Sequence, residues 1–143
     1  MLKLDHRSRY NSLLIYYAPF NVPAKWLWAQ VYAESDFTPT AKSPAGALGL
    51  SQFMPPTWEE WGNGGDATNP EHAIQTQAAY MSWLVSQCDN DLEKATCAYN
   101  WGIGHIKRAG PTWRSKLPSE TRNYLKRITD LYNSHLFPEE PHD

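Results

Sequence analysis

The stretch VYAESDFTP, residues 31–39, decides how this chain is read. It closes an apolar run from Trp26 to Ala33, which reads as a helix, and it puts Glu34 in that helix's last turn. The C-terminal end of a helix is the negative pole of its dipole, so an anion is disfavoured there. Glu34 also lies seven residues after Leu27 and three after Val31, on nearly the same stripe. It therefore points toward packed side chains rather than plainly into water. Desolvation and the dipole both oppose the charged carboxylate and raise its pKa. That condition suits a general acid working near neutrality. Position alone also allows a solvated Glu at the edge of the stripe with no role.

The rest of the chain reads as short helices broken by Gly and Pro. A first helix is predicted over residues 8–18, and Asn21 and Pro23 open the one that ends near Ser35. Residues 36–53 carry Pro39, Pro44, Gly46 and Gly49 and read as an ordered loop or small hairpin. PPTWEEW, residues 55–61, reads as a short helix with Pro in its first turn. Asn69 and Pro70 are the cap and first position of a long helix reaching about Gln87. A further helix covers about Asp91–Tyr99 before NWGIG interrupts it, and a short one follows at His105–Ala109. The last runs from Ser119, a candidate cap, to His135, with Leu125, Ile128, Leu131 and Tyr132 as its core face. The class is mainly α, in a single domain over residues 1–143. Its core spans about 8–135, and 136–143 read as a flexible acidic tail.

Composition narrows the function classes. Thirteen Lys and Arg stand against fifteen Asp and Glu, with no basic block, so no nucleic-acid partner is expected. No apolar stretch approaches the roughly 20 residues of a membrane helix, and no convincing signal peptide is visible. Seven Trp, eight Tyr and four Phe make aromatics abundant; some must fill the core, and others can line a groove. Cys88 and Cys97 are read as two buried thiols in preference to a disulfide. No metal-ligand pattern is seen, and neither metal nor cofactor is expected.

Three further segments carry chemistry. SPAGALGLSQFMP, residues 43–55, combines small residues that let backbone approach another surface with Gln52, an amide able to bind amide or hydroxyl groups. Met54 adds a soft apolar wall, although the segment could also be an ordinary Gly-rich turn. CAYNWGIGH, residues 97–105, puts Tyr99 and Asn100 before two glycines, as groove contacts or, for Asn100, as a helix C-cap. LPSETRNYLKRI, residues 117–128, sets Glu120 in a helix's first turn and Tyr124 one turn further, the latter equally able to be plain core.

Taken in order, these motifs resemble the soluble lytic transglycosylase family, within the goose-type lysozyme superfamily. The family pattern reads here as Glu34-Ser35, Gly49-Leu50-Ser51-Gln52-Phe53-Met54-Pro55, Ala98-Tyr99-Asn100 and Pro118-Ser119-Glu120-Thr121-Arg122-Asn123-Tyr124. It extends over about residues 22–132. Ser51 departs from the commoner Met, and Trp101 from the usual Ala. The resemblance implies a lysozyme-like fold and cleavage of the β-1,4 bond between N-acetylmuramic acid and N-acetylglucosamine in peptidoglycan glycan strands.

In that family one Glu serves as acid and then as base, and the product carries a 1,6-anhydro end. Residues 37–58 contain no Asp or Glu, and Asp36 is turned about 200° from Glu34 if the helix continues. The loop therefore offers no second carboxylate of the kind ordinary glycosidases use. By motif position, Glu34 is the implied catalytic residue. Ser43 would help hold its carboxylate and the acetamido group, Gln52 would bind substrate, and Met54 would line its pocket. Tyr99 and Asn100 would shape the opposite wall, and Tyr124 would orient the reacting groups. A hydrolytic goose-type muramidase and a non-catalytic glycan-binding module are the alternatives. The expected setting is the periplasm or cell wall, without stable membrane insertion, for a monomer made in the host cytoplasm. Release through a holin-type pore, as a phage endolysin, or carriage in the virion would bring it there. An exported bacterial enzyme whose leader has been removed is the other setting.

Overall fold

The computed structural model describes residues 6–134, 136 and 137. Among them, in chain order, are α1 (Asn11–Tyr17), α2 (Ala24–Ser35), α3 (Pro55–Trp61), α4 (Pro70–Gln87), α5 (Leu92–Trp101), α6 (Ile103–Ala109) and α7 (Ser119–Tyr132). A 3-10 segment, Gly110–Lys116, joins α6 to α7; the sequence reading did not anticipate it. Strand pairing among the described residues is limited to isolated antiparallel bridges of Leu48 with Lys42 and with Phe53. The mainly helical class and the hairpin-like loop after α2 therefore hold.

The centre of the molecule is α2. Six consecutive residues, Trp26 through Val31, are buried, so this stretch has no solvent face, as befits a helix surrounded by others. α7 and α1 pack on it, and α5 packs on α4, α6 and α7. The Trp26 indole N–H donates to Thr96 Oγ1 of α5 at 2.9 Å. This corrects the picture of an apolar stripe: α2 is enclosed all round from Trp26 to Val31, and Glu34, one turn further on, is half-buried at its end.

Local signals set most boundaries. The Asn69 side chain accepts the His72 N–H at 3.0 Å, with Pro70 in the first turn of α4. Asp91 accepts the Lys94 N–H at 3.0 Å at the start of α5. α5 continues through Asn100 and Trp101 and stops at Gly102, whose φ of 108° suits a glycine. Asn100 is thus inside the last turn and is not the cap. Ser119 is not a cap either, because Pro118, with extended backbone, occupies that position and leaves Ser119 helical. On α7, Thr121, Leu125 and Ile128 are buried at helical spacing, while Leu131 and Tyr132 are half-buried.

α1 is shorter than predicted, because residues 6–10 form turns. α7 ends at Tyr132, short of His135, which lies outside the described residues. Phe137, read as tail, is buried with its ring 5.7 Å from that of Trp28; residues 138–143 of the predicted tail lie outside the described set. Cys88 and Cys97 are buried free thiols, and burial pushes the Cys97 thiol up to about 12. No helix of the described residues is long and apolar enough to cross a membrane.

Candidate active site

Glu34 occupies the last turn of α2, which ends in the left-handed residue Asp36 (φ 48°). That turn separates the two acids. Asp36 accepts from Arg7 Nε at 2.9 Å and also meets His6, and the Arg7 bond holds its carboxyl below the usual range. Glu34 Oε2 instead accepts the Tyr124 hydroxyl at 2.7 Å. Desolvation pushes the Glu34 carboxyl up to about 8; the Tyr124 hydrogen bond opposes the rise, and the charge of Glu120 adds to it. At neutral pH the group is largely a protonated acid, close to the point where it can also release that proton. Burial holds the phenols of Tyr124 and Tyr99 well above their usual value, so both hydroxyls remain donors.

The loop after α2 forms a wall beside the acid, pinned at its backbone. Ser35 Oγ donates to the Leu50 carbonyl at 2.8 Å, and the Tyr99 hydroxyl donates to the Ser51 carbonyl at 2.7 Å. Gln52, in the left-handed region at φ 52°, donates its amide N–H groups to the carbonyls of Ala41 and Gly49 at 3.0 and 2.9 Å. Its carbonyl oxygen is the atom left for a ligand. Gly49 (φ 86°) packs so tightly that a Cβ there would lie 1.9 Å from the Ala67 carbonyl oxygen.

The residues singled out from the sequence fall into three places. Glu34 and Tyr124 are hydrogen-bonded partners. Gln52, Met54, Tyr99 and Asn100 line one cavity of about 230 Å³, together with Tyr80 and Trp101. Tyr99 links the two, since its phenol lines the cavity and feels the charge of Glu34. Ser43 stands apart: its Oγ accepts the Ala47 N–H at 2.9 Å, and among the described residues it makes no hydrogen bond to Glu34. Asn100 Oδ1 accepts from Thr121 Oγ1 at 2.8 Å, which ties α5 to α7 and leaves the Asn100 amide nitrogen for other partners. A hollow of about 400 Å³ between Trp61 and His72 includes none of these residues.

Sequence reasoning missed Gln30 altogether, and it read Glu120 only as a helix-start residue, not as a neighbour of Glu34. Gln30 donates to the Tyr124 oxygen at 3.0 Å, and Glu120 supplies the nearby charge. Each lies four residues before a residue that was recognised, Gln30 before Glu34 and Glu120 before Tyr124. The helical i, i+4 relation was the signal that could have found them.

Residues 15–121 match the family model described as the transglycosylase SLT domain. The chain belongs to that family. Relatives of this SLT-domain chain include the peptidoglycan transglycosylase gp16 of Escherichia phage T7, 36% identical over 114 residues, covering 72% of this chain and 9% of that protein. The membrane-bound lytic murein transglycosylase F of Haemophilus influenzae is 34% identical over 118 residues, covering 72% and 24%. The crystal structure of the 70-kDa soluble lytic transglycosylase of Escherichia coli superposes with a TM-score of 0.74 at 28% identity, over 86% of this chain and 23% of that one. The SLT-domain chain thus spans under a quarter of the length of each, and the lysozyme-like fold expected of it is the fold found.

Proposed function

We propose that this chain is a peptidoglycan lytic transglycosylase that cleaves the β-1,4 bond between N-acetylmuramic acid and N-acetylglucosamine. The observation that carries the proposal is the Glu34 carboxyl: half-buried, held by Tyr124, with its pKa pushed up to about 8. Protonated Glu34 gives its proton to the glycosidic oxygen as the C1–O bond breaks. The substrate's own acetamido group supports the positive charge at C1. The Glu34 carboxylate then takes the proton of the C6 hydroxyl, and that oxygen bonds to C1. One carboxyl thus serves both steps and ends protonated, with no water consumed. The names of the phage and bacterial relatives support the same substrate and reaction.

Around this acid, the Gln52 carbonyl, the Asn100 amide and the Tyr99 wall would bind the strand, Met54 would give an apolar contact, and Ser43 would reach the acetamido group after leaving Ala47. Mass spectrometry of muropeptides released from purified sacculi tests the proposal. Products with 1,6-anhydromuramic acid ends are expected; reducing ends alone would refute it. That second outcome belongs to a hydrolytic muramidase, a reading favoured by Glu120, which lies near enough to Glu34 to raise its pKa. The intact Glu34–Tyr124 pair speaks against a non-catalytic glycan-binding module. The proposed setting is bacterial cell-wall degradation by a monomer in phage lysis or entry, supported by the phage T7 relative. Lysis of permeabilised cells without added partner, by material that sediments as a monomer, is the expected result.

A further inference from the structure

The hydrogen bonds behind Tyr124 all run in one direction. A backbone carbonyl can only accept, and the Leu27 carbonyl accepts from Gln77 Nε2 at 3.3 Å. This contact fixes which end of the Gln77 amide faces α2. The same nitrogen donates to Gln30 Oε1 at 2.9 Å, and the Ser51 hydroxyl has Gln77 Oε1 as its nearer acceptor at 2.9 Å, with the Ala73 carbonyl at 3.3 Å. With its oxygen so occupied, Gln30 turns its nitrogen to the Tyr124 oxygen at 3.0 Å. An amide nitrogen cannot accept a hydrogen bond. The Tyr124 proton is therefore directed to its other neighbour, Glu34 Oε2, at 2.7 Å. Gln30 and Gln77 are fully buried and Ser51 is 1% exposed, so water does not compete along this path.

We propose that Gln30, Gln77 and Ser51 are positioning residues that hold the Tyr124 hydroxyl as a one-way donor to Glu34 Oε2. Oε2 is then kept as an acceptor, and the proton that Glu34 gives away resides on Oε1. Donors aligned head to tail also strengthen one another in a low-dielectric interior. The three polar side chains thus sit in the core for a reason that packing alone does not supply. The catalytic consequence rests on the proposed reaction; the orientation of the hydroxyl does not.

The test compares Gln30→Met and Ser51→Ala with the unmodified protein. The Glu34 carboxyl is titrated by NMR on protein carrying 13C-labelled glutamate, with Glu34→Gln identifying the signal. Loss of the fixed donor should raise the midpoint in Gln30→Met by about half a pH unit or more. Ser51→Ala, at the far end, should shift it in the same direction by less. On sacculi at pH 7, Gln30→Met should lower kcat by roughly tenfold with KM held, the pattern of a proton-transfer defect. Folded variants with an unchanged midpoint would overturn the proposal. If Gln30→Met does not fold, the Ser51→Ala midpoint decides, an upward shift supporting and no shift overturning. Should unmodified protein release no product from sacculi, the proposed reaction fails while the titration still settles the positioning role.

Discussion

The Tyr124 hydroxyl lies 2.7 Å from Glu34 Oε2 and joins α7 to the last turn of α2. A donor to the carboxylate favours the charged form, while burial favours the neutral one, and the balance stands at about 8. Tyr124→Phe removes the donor and keeps the ring. The Glu34 pKa should therefore rise, carrying the alkaline limb of the pH–rate profile to higher pH. Turnover should fall roughly 10–100-fold, because the acid loses its orientation and releases its proton less readily. A profile of kcat/KM against pH checks both effects.

Glu34→Gln should lower turnover by about a thousandfold or more, since the proposed cycle has no second acid. Its effect on stability depends on pH. The folded pKa of about 8 is above the unfolded value of 4.5, so the folded state binds more protons between these pH values, and stability falls as pH rises through the window. Gln has no such charge to bury. The variant should match the wild type near pH 4 and exceed it by about 2–3 kcal/mol at pH 8, a figure reduced for the residual exposure of the side chain. Urea titrations at the two pH values measure the difference.

The wall loop should tolerate little at its turn. Gly49→Ala combines an unfavourable positive φ with a Cβ placed against the Ala67 carbonyl. A loss of at least ~2 kcal/mol is expected in chemical denaturation, and activity should fall with it, because Leu50 to Gln52 follow directly.

Trp101 lines the cavity and stacks on His105, with ring centroids 5.0 Å apart and planes 9° from parallel. It makes no hydrogen bond to Glu34 or Tyr124 among the described residues. Trp101→Ala should therefore raise KM for glycan strands several-fold, with kcat nearly unchanged, the signature of binding lost equally in ground and transition states. Steady-state digestion of soluble glycan strands separates the two constants.

Much of this was legible in the chain because it depends on neighbours in sequence. Asn69-Pro70 announces α4, Asp91 announces α5, and the dipole argument marks Glu34 within a single turn. The ordered motifs brought in Tyr124 before any contact was known. What escaped needs partners far apart. Gln30 and Gln77 look like polar interruptions of two apolar helices until the fold brings the two side chains together across 47 residues of chain. The role of Glu120 emerges only when α7 packs on α2. Asn100 was ambiguous because a helix can run one residue further before Gly102 stops it. The placement of Ser43 depends on a loop hydrogen bond that no spacing encodes.

The wall beside the acid is gripped at its carbonyls: Leu50 by Ser35, Ser51 by Tyr99, Ala41 and Gly49 by Gln52. None of these grips uses the side chains of Ala41, Leu50 or Met54. Evolution can therefore exchange an outward residue such as Met54, 42% exposed, without moving the backbone that faces the proton donor. Taste for one wall chemistry or another can drift on this surface while the acid beneath it keeps its place.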